Sequence, residues 1–138
     1  MPGIFEMLCD WESGMGSVDW REINWSGVIL HSVYVWLLGL AIAFFARILV
    51  LDQSRDFVPA LTLLVSLATV GAAYRVATRA ERQPIMHGFL VGLTVGLIGL
   101  VLNLFSTGLT VVEIAGFLMQ VLGGLIGGRM AQRSRLRI

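Results

Sequence analysis

The sequence is poor in charge and cysteine and contains no lysine. Charged residues make up 14% of the 138 residues, against about 25% in a typical soluble domain. The basic residues are all arginine and the acids nearly balance them, so a net charge of +1 gives no indication of a nucleic-acid partner. With Cys9 as its one cysteine, the chain cannot form an internal disulfide.

The sequence also lacks the residue patterns that are typical of catalytic and metal sites. The apolar stretches contain no pair of acids for a proton relay, no nucleotide-binding loop and no nucleophile beside a base. His31 and His87 have no cysteine or carboxylate at metal-ligand spacing. We therefore predict a protein that is not an enzyme and holds no metal, and the sequence requires no cofactor.

Apolar residues account for 57% of the chain and are gathered into four long runs. Each run has roughly 20 residues, enough for a helix to cross about 30 Å of hydrocarbon. Short connections make consecutive helices antiparallel neighbours, so we predict an all-α polytopic membrane protein with four transmembrane helices in an antiparallel bundle. The predicted helices cover residues 26–51, 57–78, 84–105 and 110–130.

Local signals mark where two of these helices begin. Pro84 suits the first turn of the third helix. Thr110 and Glu113 form a capping-box pattern at the start of the fourth. In a capping box, the Thr side chain bonds the backbone N–H of the Glu, and the Glu side chain bonds the backbone N–H of the Thr. This capping role explains Glu113 without a catalytic or transport function.

Two short segments of opposite charge flank the predicted transmembrane domain, residues 26–130. Segment 1–25 is acidic and does not resemble a cleavable signal peptide, which begins basic and then becomes apolar. Segment 131–138 is a basic tail. Tryptophans suit the membrane–water boundary, so those of segment 1–25 are predicted to be interface anchors, with docking of a partner as the alternative. They are Trp11, Trp20 and Trp25.

The arginines are distributed unevenly between the two sides of the predicted bundle. Arg47 and Arg55 fall on one side. The other side carries both termini and the loop between the second and third helices, with Arg21, Arg75, Arg79, Arg82, Arg129, Arg133, Arg135 and Arg137. Arginine-rich loops stay in the cytoplasm, and we therefore predict that both termini are cytoplasmic.

Glycines recur every four residues in the last two predicted helices. This spacing places small residues on one helix face and lets two backbones approach closely. We predict that the third and fourth helices pack on each other, or on a neighbouring subunit, through these positions; a glycine-lined pore would need more polar groups. The helix-packing glycines are Gly88, Gly92, Gly96, Gly116, Gly123, Gly124, Gly127 and Gly128.

A few polar residues lie within the predicted spans. Gln120 and Asn103 are expected to make hydrogen bonds between helices, with contact to a substrate or ion as the alternative. Arg47 lies about one turn from a helix end and is predicted to extend toward Asp52 or Asp56 at the membrane surface.

One histidine leaves a cofactor hypothesis open. Gly27 precedes His31 by one helical turn, and antenna proteins that bind bacteriochlorophyll place a small residue there to make room for the macrocycle. Binding of a pigment or haem through His31 is therefore an alternative. A histidine wetted at the membrane interface is the simpler interpretation.

Three segments resemble an uncharacterised family of small four-helix bacterial membrane proteins. They are Ile-Asn-Trp-Ser-Gly at 23–27, His-Gly-Phe-Leu-Val-Gly-Leu at 87–93 and Gly-Gly-Leu-Ile-Gly-Gly at 123–128. The resemblance implies the bacterial cytoplasmic (inner) membrane and no particular activity. Small multidrug transporters carry a membrane-embedded Glu in the first helix, whereas the first predicted helix of this chain contains no Glu.

These patterns together favour a non-catalytic accessory or scaffold subunit of a larger bacterial membrane complex, of the photosynthetic or respiratory kind. The expected partners are other membrane protein subunits and lipid, with no nucleic acid. One alternative is a small oligomeric transporter or channel that uses Gln120, Asn103 and the glycine faces. The other is a pigment- or haem-binding subunit.

Overall fold

The computed structural model describes residues 20–49, 57–106 and 110–136, and these ranges are built from helices. A 3-10 turn, Trp20–Glu22, precedes four α-helices. All four are long and apolar enough to cross a membrane, which confirms the predicted all-α class and the four candidate spans. The helices are α1, Trp25–Ile48; α2, Phe57–Arg79; α3, Pro84–Ser106; and α4, Val111–Arg135.

Local signals mark the starts of α1, α3 and α4. The Asn24 side chain accepts a hydrogen bond from the backbone N–H of Gly27 at 2.9 Å and so caps α1. Pro84 is the first residue of α3, as predicted. The Glu113 carboxylate accepts a bond from the backbone N–H of Thr110 at 2.6 Å, which confirms the capping box. At the other end α4 continues past residue 130 to Arg135.

α2 and α3 are the two helices that contact every other helix of the bundle. Both α1 and α4 contact α2 and α3, whereas α1 and α4 do not contact each other within the described residues. The most extensive contact joins α3 to α4. The bundle is therefore asymmetric, with α4 closely packed and α1 at the periphery.

The order of contacts along the helices is regular. As residue numbers rise along α3, the residues that they contact on α4 fall in number: Gly88 lies against Gly128, and Gly92 lies against Gly124. Between α1 and α3 the residue numbers rise together: the Ser32 side chain donates to the carbonyl oxygen of Val91, and the Trp36 side chain donates to that of Val95. The same forward order holds for α2 and α4.

The described core is small and lies toward the end of the bundle where α1 begins. It consists mainly of Val, Ala and Leu side chains from α1, α2 and α3. On α1, only Val28, Ser32, Val35 and Ala46 are buried, and large apolar side chains such as Phe44 and Phe45 face outward. Such outward apolar faces suit contact with lipid.

Candidate functional site

Glycines bring the backbones of α3 and α4 into direct contact. A Cβ atom added at Gly88 would lie 2.5 Å from the carbonyl oxygen of Gly124, and one at Gly128 would lie 2.9 Å from the Cα of Ile85. One at Gly124 would lie 2.8 Å from the Cα of Gly92. These are backbone atoms that no rotamer change can move, so larger residues would force the helices apart.

The second pair of glycines on α4 packs on a different helix. A Cβ at Gly123 would lie 3.2 Å from the carbonyl oxygen of Ser66, and one at Gly127 would lie 2.5 Å from that of Val70. Both of these contacts are with α2. Adjacent glycines therefore let α4 approach two helices at once, whereas the sequence pattern named only α3.

The remaining two helix-packing glycines have different surroundings. A Cβ at Gly96 would meet the Phe117 ring, 2.7 Å from its Cδ2 atom. At Gly116 the nearest atom is Cγ2 of Thr62 at 3.9 Å, an ordinary van der Waals distance. The close approach of backbones thus depends on Gly88, Gly92 and the four glycines after residue 122, and Gly116 does not contribute to it.

Gln120 makes a buried polar contact between α4 and α2. Its Oε1 lies 2.5 Å from the Thr69 hydroxyl, and its Nε2 lies 3.2 Å from the Ser66 hydroxyl. The Ser66 hydroxyl accepts from this Nε2 and donates to the carbonyl oxygen of Thr62 at 2.8 Å. The single Thr69 hydroxyl proton has two acceptors within reach, Gln120 Oε1 and the carbonyl oxygen of Val65 at 2.8 Å. The amide is therefore engaged by protein groups on both sides and does not face an open polar path.

The other predicted intramembrane polar groups lie nearer the helix ends. Asn103 is half-buried on α3, and Arg47 is exposed on α1. Asp52 and Asp56, the predicted partners of Arg47, lie outside the described residues, as does Trp11.

The surroundings of His31 bear on the macrocycle hypothesis. Its Nδ1 lies 2.9 Å from the carbonyl oxygen of Gly27, which can only accept, so Nδ1 carries the proton. The ring is half-buried and meets Tyr34 edge-on. A Cβ at Gly27 would lie 3.1 Å from the Asn24 amide, so the space left by this glycine holds the cap of α1. Cofactor binding by His31 stays a prediction.

Charged and polar side chains gather at the end of the bundle where α1 and α3 begin and α2 ends. A half-open cleft of about 440 Å³ lies there. Arg82 pairs with Glu22 across it at 2.8 Å, joining the α2–α3 loop to the turn before α1. The cleft is lined by Glu22, Asn24, Arg79, Ala80, Glu81, Arg82 and His87.

His87 links the start of α1 to the start of α3 at this end. Its ring is 1% exposed. Nδ1 lies 3.0 Å from the carbonyl oxygen of Gln83, and Nε2 accepts the backbone N–H of Asn24 at 3.1 Å. This arrangement fits the neutral ring with its proton on Nδ1. Sequence reasoning found no role for His87, because its partners are backbone atoms.

Arg135 closes the same end from α4. Its guanidinium donates to the backbone carbonyls of Ala77 at 3.0 Å, Thr78 at 2.9 Å and Glu81 at 3.2 Å, and also to that of Ala80. A cation at a helix C-terminus satisfies carbonyls that lack helical partners and complements the helix dipole. One arginine of the predicted basic tail thus caps α2.

Two of the predicted interface anchors form a pair at this end. The indoles of Trp20 and Trp25 stack with centroids 6.3 Å apart, and both are exposed. Trp25 also donates from Nε1 to the carbonyl oxygen of Trp20 at 3.4 Å. The pair therefore presents two flat apolar faces beside the charged cleft.

The described residues contain no candidate metal site. No group of three or more His, Cys, Asp or Glu side chains lies together within the described ranges.

A comparison with protein-family models, curated proteins and solved structures finds no match. The resemblance to small four-helix bacterial membrane proteins therefore stays a prediction.

Proposed function

We propose that the protein is inserted in the bacterial inner membrane as an antiparallel four-helix bundle with both termini in the cytoplasm. The length and apolar composition of the four helices support insertion. The reverse order of contacts between α3 and α4, and the forward order between α1 and α3, are those of helices that alternate in direction. The clustering of arginines at one end supports the orientation.

We further propose that it is a non-catalytic accessory or scaffold subunit of a larger membrane complex. The observation that carries this proposal is the engagement of Gln120 by Ser66 and Thr69 within the bundle. A transporter or channel needs polar groups that face the path of its ion or solute. The Gln120 amide instead makes hydrogen bonds to side chains of α2. A larger polar surface lies at the cleft end, beside the Trp20–Trp25 pair, where a partner can dock.

Native gel electrophoresis and mass spectrometry of membranes solubilised in mild detergent test this role. We expect the wild-type protein to migrate with other subunits, and a Trp20→Ala/Trp25→Ala variant to lose them. Phe105→Ala is the matched control, because Phe105 is an exposed aromatic residue at the opposite end of α3. Resistance of the protein to alkaline carbonate extraction tests insertion separately.

Three outcomes decide between the functions. Migration of the wild-type protein alone, with identical behaviour of the tryptophan variant, would replace the accessory role with an autonomous transporter or channel. Flux in liposomes would then identify the ion or solute. Visible absorbance that disappears in His31→Leu would assign a pigment or haem to His31, even though Asn24 fills the space over Gly27.

A further inference from the structure

The two histidines of the chain make the same kind of bond to the backbone four residues earlier. Nδ1 of His31 lies 2.9 Å from the carbonyl oxygen of Gly27, and Nδ1 of His87 lies 3.0 Å from that of Gln83. A carbonyl oxygen only accepts, so both rings carry their proton on Nδ1 and have a lone pair on Nε2. The difference between the two side chains lies in what Nε2 faces.

Nε2 of His87 accepts the backbone N–H of Asn24 at 3.1 Å, whereas Nε2 of His31 has no hydrogen-bond partner among the described residues. A second ring proton can enter only at Nε2, because Nδ1 already holds one. At His31 that proton displaces no bond. At His87 it would face the N–H of Asn24, which is also a donor. A charged His87 ring and the bond to Asn24 therefore exclude each other.

The charged groups around His87 do not change this conclusion. They come from the turn before α1, the end of α2, the α2–α3 loop and α4, since α3 has no charged residue and α1 has none before Arg47. A carboxylate that accepted a bond from the charged ring would take the place of Asn24 at Nε2, so the bond is lost in that case too. The groups are Arg21, Glu22, Arg79, Glu81, Arg82 and Arg135.

Asn24 connects this bond to the start of α1. Its backbone N–H meets the His87 ring, and its side-chain Oδ1 accepts the Gly27 N–H at 2.9 Å and the Ser26 hydroxyl at 2.8 Å. The residue that caps α1 is thus held to α3 through the imidazole. The stacked indoles of Trp20 and Trp25 stand on either side of it in the chain. A displacement of Asn24 therefore acts on both the cap and the indole pair.

Other contacts at the start of α1 do not involve the imidazole nitrogens. Ile23 and Val28 are buried in the apolar core, and Glu22 pairs with Arg82 at 2.8 Å. Loss of the Asn24 bond therefore loosens the start of α1 without removing its apolar packing.

We propose that His87 is a pH-sensitive switch between the start of α1 and the start of α3. With the ring neutral, Asn24 is held. With the ring charged, the bond is broken and the segment that carries Trp20 and Trp25 is released from α3. Histidine is the side chain whose charge changes between about pH 5 and 8, so acidification at the cleft end operates the switch. The inference rests neither on membrane insertion nor on the accessory role.

NMR spectroscopy of the full chain in neutral detergent, titrated between about pH 8 and 5, tests this proposal. Long-range proton–nitrogen correlations report the protonation of each imidazole separately, and the backbone amide resonance of Asn24 reports its hydrogen bond. We expect the Asn24 amide proton to shift upfield with the same midpoint as the uptake of a proton at Nε2 of His87. The indole resonances of Trp20 and Trp25 should change at that midpoint too.

His87→Gln and His31→Gln are the matched variants. Glutamine at position 87 keeps a side-chain acceptor but takes up no proton in this range, so the Asn24 amide should stop responding to pH. His31→Gln should respond as wild type does, because its Nε2 holds nothing in place. A response that persists in His87→Gln, or that His31→Gln abolishes, would overturn the proposal.

Two results from the wild-type chain alone would also overturn it, and these do not depend on the folding of a variant. One is an Asn24 amide that stays in place while His87 takes up its proton. The other is a His87 ring that takes up no proton across the titration.

Discussion

The backbone N–H of Asn24 donates a hydrogen bond to Nε2 of His87, 3.1 Å away and separated from it by 63 positions in the chain. The other ring nitrogen lies 3.0 Å from the carbonyl oxygen of Gln83. One buried imidazole thus joins the start of α1 to the start of α3. It adds a polar contact to the burial of Ile23 and Val28 at the start of α1.

Replacing His87 with Phe should destabilise the protein by about 1–3 kcal/mol, because the aromatic ring leaves the backbone N–H of Asn24 without its acceptor. The Gln83 carbonyl keeps the backbone N–H of residue 87 as a partner at 3.2 Å. Thermal unfolding in detergent measures the change. His31→Phe is the control, since His31 is half-buried and bonds only within its own helix; it should change stability by less than about 0.5 kcal/mol. Equal effects of the two variants would contradict a linking role for His87.

Enlarging Gly92 or Gly124 should separate α3 from α4. Leucine at either position would collide with backbone atoms of the facing helix, and overpacking of this kind typically costs about 1–3 kcal/mol. Gly71 is the matched control, because nothing lies within 4 Å of a Cβ there. Gly71→Ala should be neutral or stabilising by up to about 1 kcal/mol. Wild-type thermal stability of both leucine variants would show that the glycine contacts are not tight.

Replacing Gln120 with Leu should have a modest cost. The Ser66 and Thr69 hydroxyls keep their carbonyl partners at 2.8 Å and are not left unsatisfied. Hydrogen bonds between transmembrane helices average about 0.6 kcal/mol and reach about 1.7. A double-mutant cycle with Thr69→Val measures the coupling. A coupling near zero would mean that Gln120 does not hold α4 to α2.

Removing the Arg135 guanidinium should loosen the end of α2. Arg135→Gln loses charged hydrogen bonds to several carbonyls, at about 1.5–3 kcal/mol for such a contact. Hydrogen exchange of the amides near Ala80 should quicken along with the loss of thermal stability. Arg133→Gln is the control and should leave both unchanged, because Arg133 is exposed. Similar exchange in the two variants would argue against the cap.

Reporter fusions test the predicted orientation. A reporter fused at Ile138 should be active in the cytoplasm, and one fused after Asp52 should be active in the periplasm, because the arginine-rich side stays inside. A periplasmically active reporter at Ile138 would reject the topology.

The sequence by itself determined the helices. Apolar runs of bilayer length depend only on neighbouring residues, and so do the starts at Pro84 and at the Thr110–Glu113 capping box. The spacing of the glycines likewise places them along one side of α3 and on adjacent sides of α4, where no side chain keeps another helix away. These signals are local and can be read without knowing what lies opposite.

Only the tertiary structure decided which groups meet across those faces. A period of four identifies a face but not its partner, so the sequence did not show that Gly123 and Gly127 approach α2 while Gly124 and Gly128 approach α3. Likewise, no pattern connects Gln120 with Thr69, His87 with Asn24, or Arg135 with the end of α2. The physical reason is that these contacts join residues that are distant in the chain. Two of the three end on backbone atoms, which every residue type presents alike.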